Sequence, residues 1–310
     1  PPRSTLFPYT TLFRSLRAPG LQAEWGLRSR SLELTLHAGA GTVEVREVKG
    51  GRRWIQRPAA EEIVVRDVRR DGDRLRCSLT DVGLALDFEA VLELDPERPE
   101  VRVTISAQGE LAGVLSYPHP FVGRSGDHLV VPMNEGISYP VDDATLAPMR
   151  LVAYGGHGIC MAFHGVTDGA AGQMTLIRTP DDAAVRVDRL GGRLVLVPEW
   201  GAQRGMFGYE RGLRWVFFDR GGHVAMAKRY RAEAREAGLL RTLAEKRVRN
   251  PHVDLLIGAV NVWCWDRDAV SLVREMQAAG IGRILWSNQQ SAENLRVLNG
   301  RGVLRSRYDI

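Results

Sequence analysis

Acidic and histidine side chains are the first candidates for chemistry in this 310-residue sequence, because they bind cations and transfer protons. Glu135, Asp142 and Asp143 share one short stretch and could hold a cation, although solvated loop acids are the default interpretation. His157 and His164 are seven residues apart, and no HxH or HExxH spacing occurs in the sequence. The sequence therefore predicts neither a metal site nor a cofactor.

The other motifs that could carry chemistry are equally weak. The glycine-rich run at 155–158 lacks a following helix whose N-terminus would hold a phosphate, so it is interpreted as a turn. No GxSxG nucleophile motif is present. Cys77, Cys160 and Cys264 are widely spaced and form no CxxC pattern, so we expect them to be small buried apolar residues.

The net charge of +5 does not indicate a nucleic-acid partner. Only Lys49, Lys228 and Lys246 are lysines among the 42 basic residues, which leaves 39 arginines. These arginines are scattered beside Asp and Glu and form no one-sided basic stripe, so we expect no nucleic-acid binding. No stretch approaches 18 consecutive apolar residues, so no membrane span is predicted. The oligomeric state is left open.

The first fifteen residues stand apart from the rest. Residues 5–15 read TLFPYTTLFRS, which resembles the direct translation of a common sequencing adapter. We therefore expect residues 1–15 to be an artefact without packed contacts, and the native N-terminus to be missing. Cellular location is left open for the same reason.

Between residues 16 and 220 the dominant hydrophobic period is two. Leucines and valines alternate with polar residues in many short runs, and glycine-rich turn signals separate these runs. About a dozen antiparallel strands of this kind predict a large β-sandwich. Residues 221–250 change to a helical pattern and are interpreted as a connector. Thr242 and Glu245 within it have the spacing of a helix capping box.

After Pro251 the pattern alternates strand and helix. The runs DLLIGAVNVW, RILWS and VLRSRYDI are predicted strands, separated by two predicted helices. This order, strand-helix-strand-helix-strand in under about 60 residues, requires parallel strands with right-handed crossovers. Residues 251–310 are therefore expected to be the first three strands of a truncated (β/α)8 barrel. We expect the chain to be a fragment cut at both ends.

Several blocks of sequence together resemble one group of enzymes. These blocks are PMNEGISYPVDD, GYERGLRWVFF, AKRYR, TLAEK and GAVNVW. The last four resemble the junction in sequences related to glycoside hydrolase families 101 and 129, the endo- and exo-acting α-N-acetylgalactosaminidases and their uncharacterised bacterial relatives. PMNEGISYPVDD resembles a sandwich loop of the same sequences. The resemblance implies a galactose-mutarotase-like sandwich before a catalytic barrel. It also implies a retaining hydrolase acting on α-linked N-acetylgalactosamine-type or related sugars, with its catalytic acids on barrel strands beyond Ile310. The chain itself is then expected to show little activity and to aggregate through an open barrel edge.

The resemblance implies that the carbohydrate partner is bound at the carboxyl ends of the three strands. Tryptophans there can stack on the apolar face of a sugar ring, and polar side chains can bind its hydroxyls. The alternative is that a tryptophan fills space beside the helices and that Asp266 only caps a helix. The candidate substrate-binding residues are Trp263, Trp265, Asp266, Trp286, Asn288 and Asp309.

Two other functions stay open at this point. One is a non-catalytic carbohydrate-binding or scaffold protein with the same sandwich. The other is a mutarotase-like isomerase, which needs a histidine and an acid that converge in the sandwich cleft. The histidines available for it, without diagnostic spacing, are His119, His128, His157 and His164.

Overall fold

Antiparallel strands are the main secondary structure between residues 24 and 218 in this computed structural model. The described residues are 20–59, 63–134, 136–154, 158–265, 267–288 and 290–306. The predictions for residues 1–15, Glu135, His157, Asp266 and Asp309 therefore lie outside the described residues. The chain divides into two compact units, Pro1–Tyr230 and Arg231–Ile310.

The strands among the described residues of the first unit form three antiparallel sheets. A four-stranded sheet contains β1 (Glu24–Arg28), β2 (Leu32–His37), β3 (Thr42–Glu47) and β4 (Arg53–Ile55), in that order. A three-stranded sheet has the order β11 (Met149–Val152), β14 (Ala183–Leu190) and β15 (Arg193–Trp200).

The largest sheet has nine strands. Its order is β10 (Ile137–Pro140), β9 (His128–Val131), β12 (Phe163–Thr167), β13 (Gly172–Ile177), β16 (Arg211–Phe218), β8 (Glu100–Ala107), β7 (Leu86–Leu94), β6 (Arg74–Asp81) and β5 (Ile63–Asp71).

Alternating burial confirms the predicted β-sandwich class. Leu32, Leu34 and Leu36 of β2 are buried, whereas the residues between them are half-buried. β7 repeats the pattern over nine residues. Such alternation places one side of each strand in the core. Side chains from all three sheets belong to one large apolar core.

The central strands β12 and β13 depart from this alternation, because every residue in them is buried. Their outer face is covered by helix α1 (Gly222–Glu236), whose Met226 packs with Phe163, Met174 and Leu176. A Cβ on Gly165 would lie 2.7 Å from the Met226 sulfur and 2.5 Å from the Gln173 carbonyl oxygen. The absence of a side chain at Gly165 therefore makes room for the helix.

A buried ion-pair cluster also joins α1 to the sheet. The Glu100 carboxylate at the start of β8 accepts hydrogen bonds from Arg214 of β16 at 2.8 Å and from Arg229 of α1 at 2.7 Å. These guanidinium groups hold the pKa of Glu100 below its ordinary value, although burial acts in the opposite direction. Removing the carboxylate would leave two mostly buried guanidinium groups without this partner.

The predicted helical segment at 221–250 contains α1 and α2 (Leu243–Arg249). Its capping box is confirmed, because the Thr242 hydroxyl accepts the Glu245 N–H at 3.2 Å. The Glu245 carboxylate in turn accepts the Thr242 N–H at 2.7 Å. The two otherwise unpaired amides at the start of α2 are thus satisfied.

The second unit alternates short strands and helices. A 3-10 helix (Pro251–Leu256) is followed by β17 (Val260–Val262), α3 (Ala269–Ala278), β18 (Ile284–Trp286), α4 (Ala292–Gly300) and β19 (Leu304–Arg305). The three strands pair in parallel in the order β17-β18-β19, as predicted. No helix among the described residues is long and apolar enough to cross a membrane.

The first of these strands is much shorter than predicted. The apolar run from Asp254 was expected to be one strand, but its first residues complete the 3-10 helix. Asn250 starts that helix by accepting the His252 N–H at 3.1 Å, and Pro251 fits its first turn. Gly258 then adopts a φ of +74°, which breaks the run before Val260.

Candidate functional site

The two faces of the parallel sheet have different environments. Ile284 and Trp286 of β18 are buried against Val273 of α3 and Leu298 of α4. Leu285, between them, points to the opposite face because successive side chains alternate along a strand. Trp286 therefore lies on the helix-facing side of the sheet.

This position corrects the expectation that Trp286 binds a ligand. The side chain has no exposed surface, and its indole N–H has no partner among the described residues. A ring enclosed by apolar side chains cannot stack on a sugar, so the space-filling alternative describes Trp286.

Trp263 and Trp265 are placed very differently. They follow β17 and are 49% and 73% exposed. Their ring centroids lie 6.4 Å apart, and their planes are inclined by 49°. Two large exposed aromatic rings at a strand end are costly to leave in water and are typical of a binding surface.

Polar side chains cluster at the same strand ends. The Ser287 hydroxyl after β18 donates to the Asn261 side-chain oxygen on β17, and the Asn288 amide donates to the Cys264 carbonyl. Asn288 is buried, and its side-chain oxygen has no hydrogen-bond partner among the described residues. Asn288, a predicted substrate-binding residue, thus belongs to a cluster of polar side chains that links the ends of β17 and β18.

Asn261 and Ser287 were not singled out from the sequence. The signal that could have identified them is their position in the strand. Each is a polar residue directly beside an apolar residue that packs on the helix face. A polar residue in that alternation must face away from the helices. Asn261 is exposed there, whereas Ser287 is buried.

The described carboxylates near these strand ends have structural partners. Asp268 caps α3 by accepting the Ser271 N–H at 2.8 Å, and this bond lowers the pKa of its carboxyl. Glu275 pairs with Arg267, which lowers the pKa of the Glu275 carboxyl. Among the described residues this region can therefore bind an apolar ring and hydroxyl groups, but it presents no free pair of acids for proton transfer and nucleophilic attack.

The loop acids of the first unit are likewise engaged in local structure. Asp142 accepts from the Ser125 hydroxyl at 2.8 Å and from the Gly126 N–H at 3.1 Å. Asp143 accepts both donors of Thr145 at 2.7 Å. These bonds lower the pKa of each carboxyl. Within the described ranges, no group of three or more His, Cys, Asp or Glu side chains could hold a metal.

The cysteines agree only in part with expectation. Cys77 is fully buried, and burial raises the pKa of its thiol to about 12, as expected for a small apolar core residue. Cys160 is exposed and Cys264 is half-buried, so the expectation of burial is wrong for Cys160. The Cys160 thiol instead donates to the Pro132 carbonyl at 2.9 Å in a surface turn.

The described sandwich histidines, which exclude His157, do not form a sugar-sized cleft. His119 and His164 are buried and line a cavity of about 10 Å³, whereas His128 is half-buried on β9. That volume equals roughly one water molecule. A monosaccharide does not fit, so this cavity gives no support to the isomerase alternative.

Comparison with known proteins gives structural likenesses alone. No protein-family model matches the sequence. No curated protein matches it either.

Among solved structures, the α-N-acetylgalactosaminidase NagBb from Bifidobacterium bifidum shares the fold. Its complex with GalNAc superposes with a TM-score of 0.73 at 17% identity, covering 92% of this chain and 59% of the enzyme. Its complex with Gal-NHAc-DNJ gives a TM-score of 0.72 at 16% identity. The chain thus spans about three fifths of the length of that enzyme. At this identity the likeness establishes the fold only.

A galactose mutarotase related enzyme from Lactobacillus acidophilus also matches 64% of the chain. Its TM-score is 0.41 and its identity is 7%, which is too low to support an argument.

Proposed function

We propose that the chain is part of a retaining glycoside hydrolase that acts on α-linked N-acetylgalactosamine-type or related sugars. The observation that carries the proposal is the extent of the fold likeness. The match to an enzyme named as an α-N-acetylgalactosaminidase covers 91% to 92% of this chain, from sandwich to parallel strands. In this proposal residues 16–220 are a galactose-mutarotase-like sandwich, 221–250 connect, and 251–310 begin a (β/α)8 barrel.

The exposed tryptophan pair supplies the ligand surface in this proposal. Trp263 and Trp265 stack on the apolar face of the sugar ring, and Asn288 binds a hydroxyl or the acetamido group. Asp266 and Asp309 are further proposed hydroxyl ligands. Trp286 is left out, because its ring is buried against the helices.

The chemistry requires groups beyond those at the described strand ends. A retaining glycosidase uses two carboxyl groups about 5 to 5.5 Å apart, one as nucleophile and one as general acid. The engaged carboxylates Asp268 and Glu275 do not fit these roles. We place the pair on barrel strands four to six, and we expect the 310-residue chain alone to hydrolyse little substrate.

A coding sequence that extends this reading frame provides the first test. The proposal expects two carboxylates at the ends of strands four to six of a completed barrel. Hydrolysis of an aryl α-N-acetylgalactosaminide should then disappear when either carboxylate is replaced by its amide. A complete barrel without such a pair would refute the proposal.

Binding by the present chain provides the second test. Titration with N-acetylgalactosamine should show weak binding that Trp265→Ala reduces at least about fivefold, in line with about 1 kcal/mol for an aromatic contact. Val248→Ala is the matched control, because this apolar side chain is 87% exposed but lies on α2. Equal binding by all three proteins would remove the tryptophan pair from the site.

A non-catalytic carbohydrate-binding protein is the second candidate. It is favoured by the combination of exposed tryptophans and engaged carboxylates at the described strand ends. An extended chain that binds N-acetylgalactosamine but releases no reducing sugar would support this candidate over the hydrolase.

A further inference from the structure

The interior of the sandwich contains a polar row that has no part in the proposed sugar site. In the register of the nine-stranded sheet, His164 of β12 lies beside Thr175 of β13, and Thr175 lies beside Trp215 of β16. Gln173 follows on the same face of β13, two residues from Thr175. This face points into the apolar core, where Trp215 and Val166 are buried.

The histidine in this row has an unpaired ring nitrogen. His164 is 3% exposed, and its Nε2 has no hydrogen-bond partner among the described residues. Burial lowers the pKa of its imidazole to about 3, so the ring is neutral near pH 7. A neutral imidazole has one N–H donor and one acceptor nitrogen, and leaving Nε2 unpaired inside a protein costs free energy.

The two neighbours also have unused hydrogen-bonding capacity. Gln173 donates through its amide nitrogen to the Thr175 hydroxyl oxygen at 3.1 Å. That bond uses the hydroxyl as an acceptor, so the Thr175 O–H proton remains to be donated. All three side chains line the same cavity, whose volume is about 10 Å³.

We propose that this cavity is a binding site for a single structural water molecule, held by His164, Thr175 and Gln173. The water accepts the Thr175 hydroxyl proton and donates one proton to the unprotonated nitrogen of His164. Its second proton goes to the side-chain oxygen of Gln173. Three hydrogen bonds are typical of a buried water, and the volume matches one molecule. The walls from Leu129, Val166 and Leu196 are apolar, whereas His119, whose Nε2 has no hydrogen-bond partner among the described residues, also lines the cavity.

The test is a crystal structure of the full chain at a resolution that shows ordered water. We expect one density peak in the cavity within about 3.2 Å of His164, Thr175 and Gln173. Thr175→Val removes one partner at nearly constant shape and should abolish the peak, whereas Thr175→Ser should keep it. A cavity without density in the unaltered chain, while waters are visible elsewhere, would overturn the proposal. Density too large for one water would also overturn it.

Thermal unfolding provides a second readout. Thr175→Val should lower the Tm by about 2 to 4 °C more than Thr104→Val, since it removes a buried hydrogen bond. Thr104 is the matched control because it lies on β8 of the same sheet and is half-buried away from the cavity. Equal Tm changes for the two valine variants would contradict the proposed role of Thr175.

Discussion

The central strands of the sandwich and the parallel sheet of the second unit bury their side chains in opposite ways. Every residue of β12 and β13 is buried, since the core covers one face and α1 the other. The parallel sheet is buried on its helix-facing side, and Asn261 on the other face is exposed. Reactive groups are therefore sealed from ligands in the first region, as His164 shows. In the second region Trp263 and Trp265 are exposed to solvent.

The largest expected effect is the loss of stability on replacing Trp286, compared with the replacement of Trp265 in the same unit. Trp286→Ala should lower the free energy of unfolding of this unit by about 3 to 5 kcal/mol, because it empties the core between sheet and helices. Trp265→Ala should change it by less than about 1 kcal/mol, because that ring is 73% exposed. Urea unfolding followed by circular dichroism measures both. Similar losses of unfolding free energy for the two variants would contradict the assignment of Trp286 to the core and of Trp265 to the surface.

A second comparison tests how α1 is held on the sandwich. Glu100→Gln should destabilise the first unit by about 3 kcal/mol, because Arg214 and Arg229 lose their shared buried partner. Glu97→Gln is the control, since the Glu97 and Arg30 side chains of its ion pair are 67% and 81% exposed. Such a surface pair contributes about 0 to 1 kcal/mol. Denaturant midpoints that shift equally would refute the assignment of the buried cluster as an anchor.

Acid should destabilise the first unit through its two buried histidines, His164 and His119. Burial lowers the pKa of His164 to about 3 and that of His119 to about 4, from an ordinary value of 6.5. Their neutral forms thus favour folding above pH 6.5, and this stability is lost as pH falls toward the folded values. Each histidine should account for about 1.4 kcal/mol per pH unit between pH 6.5 and 4.

The slope of stability against pH isolates this contribution. His164→Leu should flatten the profile measured by urea unfolding between pH 6.5 and 4, whatever its effect at pH 7. Trp265→Ala retains both histidines and should keep the original slope. An unchanged slope in His164→Leu would show that protonation of this residue is not coupled to unfolding.

The smallest expected effect concerns the packing of α1 on β12 and β13. Gly165→Ala should destabilise the first unit by about 1 to 3 kcal/mol, because the new methyl group meets Met226 and the Gln173 carbonyl. Gly212→Ala is the control, because the nearest atom to its added Cβ is at an ordinary 3.5 Å. Thermal unfolding should separate the two variants. A Gly165→Ala protein as stable as Gly212→Ala would mean that α1 adjusts without cost.

Much of the local structure follows from the sequence. The alternation of Leu32, Leu34 and Leu36 predicted a strand with one buried face, and Thr242 with Glu245 predicted the start of α2. These features depend on neighbouring residues only. The parallel pairing was also predictable, because consecutive strands of one sheet that are joined by a helix pair in parallel through a crossover.

The sites were harder to predict, since they depend on which face of a strand meets the helices. Ile284, Leu285 and Trp286 are all apolar, so alternation cannot tell that Trp286 faces α3 and α4. The polar link from Ser287 to Asn261 requires the register between two strands, which the sequence does not encode locally. The short β17 reflects a competing signal, the Asn250 cap followed by Pro251.

The exposed pair Trp263 and Trp265 makes intrinsic tryptophan fluorescence a probe of the second unit. The sequence has seven tryptophans, of which Trp54, Trp200, Trp215 and Trp286 are buried and Trp25 is half-buried. A collisional quencher such as iodide reaches Trp263 and Trp265 far more readily than the others. The quenchable part of the intrinsic fluorescence therefore reports on one end of the parallel sheet, without any attached dye.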